Sequence, residues 1–104
     1  MTSNGVQENG LKVKHQQQLI ALLTQHPHVC AAWLFGSRAI GTFKPNSDID
    51  LVLEGEQLDL TDVAELLTQI ELTTIPYKVD ILIKHKIKND KLIDHIEKHG
   101  VRWV

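Results

Sequence analysis

Five residues of the 104-residue chain stand at spacings suited to phosphate and metal chemistry: Gly36 and Ser37, then Asp48 and Asp50, then Asp80. The first pair ends the apolar run "HVCAAWLF", the second opens the run "DIDLVL", and the last lies within "YKVDILI". Residues two apart on a strand project from one face, about 6.5–7 Å apart along the backbone, so Asp48 and Asp50 can converge on one cluster of hard cations. Two such charges repel, and Asp80 on a neighbouring strand adds to the repulsion unless divalent ions neutralise it. Mg²⁺ suits the donor set, and a pair of ions held by three carboxylates can serve an in-line displacement at phosphorus. A glycine at a strand end lets backbone approach a phosphate closely, and Ser37 adds a hydroxyl donor. The first amides of a following turn attract anions. Arg38 follows directly on that turn and is expected to contact phosphate as well. Gly-Ser, ten residues and Asp-x-Asp should occur by chance in about one or two chains per thousand of this length, so the combination weighs more than either pair alone.

Positioning these groups requires strands with one wet face. Residues 12–25 carry Leu19, Ile20, Leu22 and Leu23 among Gln and Lys and predict a helix stopping before Pro27. Residues 28–35 are apolar on both alternating faces and predict an interior strand, with a short helical turn after Gly36-Ser37 and a loop over 41–47 that returns the chain. In 48–53, Asp48, Asp50 and Val52 face one way and Ile49, Leu51 and Leu53 the other. Residues 59–71 predict a helix with Asp59 as N-cap and a stripe of Leu60, Val63, Ala64, Leu67 and Ile70. Residues 77–83 predict a third strand with Asp80 opposite Val79, Ile81 and Ile83. A last helix opens at Asn89 or Asp90, carries Leu92, Ile93 and Ile96, is capped by Gly100, and leads into the extended "VRWV".

The length fits one domain, assigned to 11–104 behind a flexible start over 1–10, with no room for a second substrate-holding domain. Eleven Lys and Arg against 13 Asp and Glu give a net charge of −2 without a basic block, which argues against a stand-alone nucleic-acid binder. The single Cys30 lies in an apolar run, where packing is the expected role, and it fits a reducing compartment. No run has the apolar length of a membrane span and the start is polar, so the expected setting is cytoplasmic, without membrane association.

Other residues carry weaker signals. His95 and His99 are four apart on the last helix, a zinc-compatible spacing, but they flank an apolar stripe and no further ligand stands in view. His26 and His28 bracket Pro27 and read as solvated turn residues, and nothing distinguishes His15 or His85. Trp33 reads as core, whereas Trp103 suits either a sheet edge or a partner interface.

"GSRAIGTFKPNSDIDL" together with "VDIL" resembles the minimal nucleotidyltransferases of the DNA polymerase beta superfamily, whose pattern is Gly-Ser, about ten residues, Asp-x-Asp and a later strand aspartate. The resemblance implies an α+β fold, a small mixed sheet backed by helices, with ATP and two Mg²⁺ ions in a crevice. It places Gly36, Ser37 and Arg38 on the nucleotide and Asp48, Asp50 and Asp80 on metal, with Asp80 also taking the acceptor hydroxyl's proton. It further implies a HEPN-type toxin as partner in a hetero-oligomer, or a homodimer, and an antitoxin that transfers AMP to a tyrosine of that toxin. Ile40 stands where family members usually carry a basic residue, which implies weakened triphosphate binding unless Lys44 substitutes. The alternatives are an antitoxin acting by contact alone and a small-molecule nucleotidyltransferase acting on an aminoglycoside-like hydroxyl.

Overall fold

The computed structural model describes residues 7–104. Elements follow in the order α1 (Val13–Gln25), β1 (Ala31–Phe35), α2 (Ser37–Ile40), β2 (Ile49–Glu54), α3 (Leu60–Glu71), β3 (Val79–Ile83), a 3₁₀ turn (Lys84–Lys86), α4 (Asp90–His99) and β4 (Val101–Arg102). The four strands form one mixed sheet in the order β3-β2-β1-β4. β1 runs antiparallel to both β2 and β4, and β2 runs parallel to β3. The parallel pair needs a crossover, which α3 supplies.

Alternation along the strands separates two faces. Ala32, Leu34, Ile49, Leu51, Leu53, Val79, Ile81 and Ile83 turn to the face covered by α1 and α3, where Leu19, Leu23, Val63, Leu66 and Ile70 meet them. Trp33, Phe35, Val52 and Leu82 turn to the other face and are covered by Leu92 and Ile96 of α4. That second face is the one on which Asp50 and Asp80 project, two residues before Val52 and Leu82.

Several boundaries and burials differ from the sequence expectation, each for a local reason. β1 begins at Ala31 rather than residue 28, because after Pro27 the Val29 amide donates to the His26 carbonyl and closes a turn. Cys30, expected to pack, is exposed just ahead of the strand. On α3 the buried positions are Asp62, Val63, Leu66 and Ile70, while Leu60 is 71 % exposed, because the helix presents a face rotated from the expected stripe. His15 is buried with its Nδ1 unpartnered among the described residues, and burial, then Lys14 and Lys12, lower its pKa and so disfavour the charged ring. Trp103 docks on the sheet edge, its amide donating to the Ala32 carbonyl at 2.8 Å. The flexible start expected over 1–10 falls in part on residues outside the described ones; the described part, 7–10, is a turn whose Gly10 amide donates to the Gln7 carbonyl. No helix among the described residues is long and apolar enough to cross a membrane.

The start of α3 is fixed by a reciprocal cap. The Asp59 carboxylate accepts from the Asp62 amide, and the Asp62 carboxylate accepts from the Asp59 amide, each at 3.1 Å. Asp59→Ala is expected to cost about 1 kcal/mol in urea unfolding.

Candidate functional site

β1 ends at Gly36, and the chain turns immediately into the single helical turn α2. Gly36 adopts φ 76° and ψ −157°, a conformation disfavoured for residues with a side chain, and a Cβ there would land on the Asp50 carboxylate. The strand end and the carboxylate are therefore in direct contact. Gly36→Ala should destabilise the fold by about 1–3 kcal/mol, read from denaturant midpoints, and push Asp50 out of place at the same time.

Asp50 and Asp80 are register partners across the parallel β2–β3 pair, and Phe35 is the register partner of Asp50 on β1. Asp48 lies two residues before Asp50, just ahead of the β2 start. Asp50 feels both acidic neighbours: burial first, then Asp80 and then Asp48 raise its pKa, with His95 acting in the opposite sense. Local compensation is small. Lys78 approaches Asp80 at 3.8 Å, but both side chains are largely in solvent, where such a pair contributes little. A half-buried carboxylate with two acidic neighbours and no hydrogen bond among the described residues fits a site for a hard divalent cation.

Beside the carboxylates, the amides of Ser37 and Arg38 are first-turn amides of α2 without intrahelical acceptors. The Gly36 amide is occupied: it donates at 3.0 Å to Nε2 of His95, which reaches over from α4. His95 in turn packs edge-on to Phe35 and lies 5.4 Å, centroid to centroid, from His99. His95 thus braces the turn, a role that its i,i+4 spacing with His99 did not suggest.

The structure takes Arg38 elsewhere. Its side chain is buried at 2 % exposure, with Nε and Nη2 donating to the Ser47 carbonyl at 3.2 and 2.9 Å, Nη2 also to the Pro45 carbonyl at 3.4 Å, and Nη1 to the Asn9 carbonyl at 2.9 Å. The guanidinium also stacks on the rings of Phe43 and Tyr77, at 5.0 and 4.7 Å to their centroids. Four of its five N–H donors, counted over these bonds, are held by the loop and the N-terminal turn, so its chemistry here is to fasten residues 41–47 rather than to face the crevice. Ile40 is 46 % exposed at the end of α2, and Lys44 is an exposed loop residue. The crevice therefore holds carboxylates and amides without a cation from α2.

Of two histidines read from sequence as solvated, His26 is largely covered and His28 keeps about a third of its side chain exposed. His26 and His28 converge on the buried Asp62, and with it form a group whose ligand atoms all lie within 4.8 Å of one another. Pro27 between them holds His26 extended and sets both rings on one side, but their meeting with Asp62 depends on α3 and could not be seen along the chain. Trp33, expected in the core, packs on the α4 side of the sheet and carries Lys84 and Arg102 over its ring, at 4.9 and 5.6 Å.

A family model described as polymerase beta, nucleotidyltransferase, matches residues 17–103. No curated protein matches the sequence significantly. Among solved structures, a toxin-antitoxin complex with AMP-PNP is 25 % identical with a TM-score of 0.70, covering 86 % of this chain and 72 % of that one. A chain from the complex of a tri-AMPylated Shewanella oneidensis HEPN toxin with its MNT antitoxin is 20 % identical with a TM-score of 0.67, covering 90 % and 72 %. A chain from the toxin-antitoxin complex MntA-HepT is 21 % identical with a TM-score of 0.65, covering 88 % and 71 %. At these identities the likeness of the last two is one of fold.

Proposed function

The chain belongs to the polymerase beta nucleotidyltransferase family, and from that premise we propose that it is an antitoxin that moves AMP from Mg²⁺-bound ATP onto a hydroxyl of a HEPN-type partner. The observation that carries the reading is the lodging of Asp50 against Gly36 with Asp80 in register beside it, which joins a phosphate turn to an acidic cluster on one open face. The AMP-PNP complex and the tri-AMPylated toxin complex support the nucleotide, the group transferred and the acceptor class.

In this reading Asp48, Asp50 and Asp80 hold the divalent ions, which when bound supply charge stabilisation at the phosphoryl oxygens. The Ser37 hydroxyl and the first amides of α2 orient the triphosphate, and the Gly36 bend allows its close approach. Asp80, on the outer strand β3 and 46 % exposed in its side chain, takes the proton of the incoming hydroxyl as oxygen attacks the α-phosphorus. Pyrophosphate leaves. The acceptor is a tyrosine hydroxyl presented by the partner.

Incubation with its copurified HEPN-type partner, Mg²⁺ and α-labelled ATP is expected to label the partner. Labelling of an aminoglycoside and no protein would overturn this. The inward Arg38 and the exposed Ile40 favour a second reading, neutralisation by contact with weak transfer. Full protection without labelled partner would establish that reading instead.

A further inference from the structure

The geometry points to a second cation site, for a divalent first-row transition ion such as Zn²⁺, built from His26, His28 and Asp62 with Glu65 as fourth ligand. It is independent of the nucleotide site. His28 precedes β1 and α3 follows β2, so the cluster sits at the end of the sheet opposite Gly36, on the order of 20 Å away along β1.

The donors are arranged for such an ion. His26 Nε2 lies 3.4 Å from Asp62 Oδ1, about the edge length of a tetrahedron with bonds of ~2.0–2.1 Å. His28 Nδ1 lies 2.9 Å from the other oxygen, Asp62 Oδ2, and Glu65 Oε1 lies 3.8 Å from His26 Nε2. Asp62 and Glu65 are three apart on α3 and share one face. Two neutral imidazoles and two carboxylates match the charge of a divalent ion, and imidazole selects a transition ion over Mg²⁺. The ligands are also pre-positioned. Asp62 is fixed by the Asp59 cap, and the two rings are set 5.5 Å apart across Pro27. They line a cleft of about 360 Å³ between the α1 end and α3, which gives an ion a route in.

Two tautomer shifts accompany binding. His26 Nδ1 accepts from the His28 amide at 3.2 Å, which puts the ring proton on Nε2. Coordination through Nε2 moves that proton to Nδ1 and gives up the amide bond. His28 Nδ1 carries the hydrogen that it donates to Asp62 Oδ2, so coordination through Nδ1 moves that proton to Nε2 and exchanges the hydrogen bond for the shared ion; neither ring gains or loses a proton overall. The bound ion would clamp the α1–β1 turn to the first turn of α3.

The test uses the full chain, stripped with chelator and titrated with Co²⁺ and then Zn²⁺. One equivalent of Co²⁺ should produce the visible absorption of a low-symmetry N/O site, Zn²⁺ should displace it, and Asp48→Asn with Asp50→Asn should leave both unchanged. His26→Gln or His28→Gln should weaken Co²⁺ binding at least about tenfold. Glu65→Gln, at an exposed position that does not threaten folding, should shift the band. Failure of the parent chain to take up micromolar Co²⁺, a spectrum indifferent to all three substitutions, or one abolished by the aspartate pair would overturn the assignment.

Discussion

Replacing Asp48 and Asp50 together by Asn should lower the rate of the proposed AMP transfer at least about 10³-fold, the equivalent of several kcal/mol of charge stabilisation at the transferred phosphoryl group. The same substitution should raise the melting temperature of the metal-free protein at neutral pH. The sign follows from Asp50, whose pKa burial, then Asp80 and Asp48 raise above 3.8. A carboxyl with a folded-state pKa above its unfolded one binds more protons when folded, so stability falls as pH rises from the unfolded value through the folded one. The penalty is complete above that window and absent below about 3.8. Asn removes it. Melting curves at pH 3.5 and 7.5 without divalent ions should therefore separate the two proteins only at the higher pH. An unchanged or lowered melting temperature at pH 7.5 would contradict the mutual repulsion on which the metal reading depends.

Arg38→Ala should unfold the protein more readily by about 3–5 kcal/mol, because it removes a buried cation with four charge-assisted hydrogen bonds and leaves the Ser47, Pro45 and Asn9 carbonyls short of donors. For a chain of this size that is a fall in Tm on the order of 15 °C or more. Arg38→Lys should recover little, since an ammonium cannot span the fork or stack between Phe43 and Tyr77. A normal Tm with a raised KM for ATP would instead return Arg38 to the phosphate.

The residues that were legible in the sequence are those whose neighbours lie in the same element. Alternation set Ile49, Leu51 and Leu53 against Asp50 and Val52, and Val79, Ile81 and Ile83 against Asp80, and the sheet shows both separations. Asp59 as N-cap and the turn after Gly36 are local chemistry and stand as expected. What could not be read depends on partners remote in the chain. Arg38 meets Asn9, 29 residues away, and His28 meets Asp62, 34 residues away. His95 reaches Gly36 across 59 residues. An arginine after a phosphate turn and histidines beside a proline have the same appearance in sequence whether they face solvent, ligand or core.

The pairing of Asp50 with Asp80 rests on the register that also buries Ile49 and Leu51 beside Val79 and Ile81. Inserting a single residue between Asp80 and Ile81 would turn Asp80 to the inward face while Ile81 and Ile83 kept theirs, or force a bulge to absorb the error. Hydrophobic packing thus acts as the alignment gauge for the acidic cluster, and selection for a tight interior preserves the aim of the carboxylates even when no substrate is present.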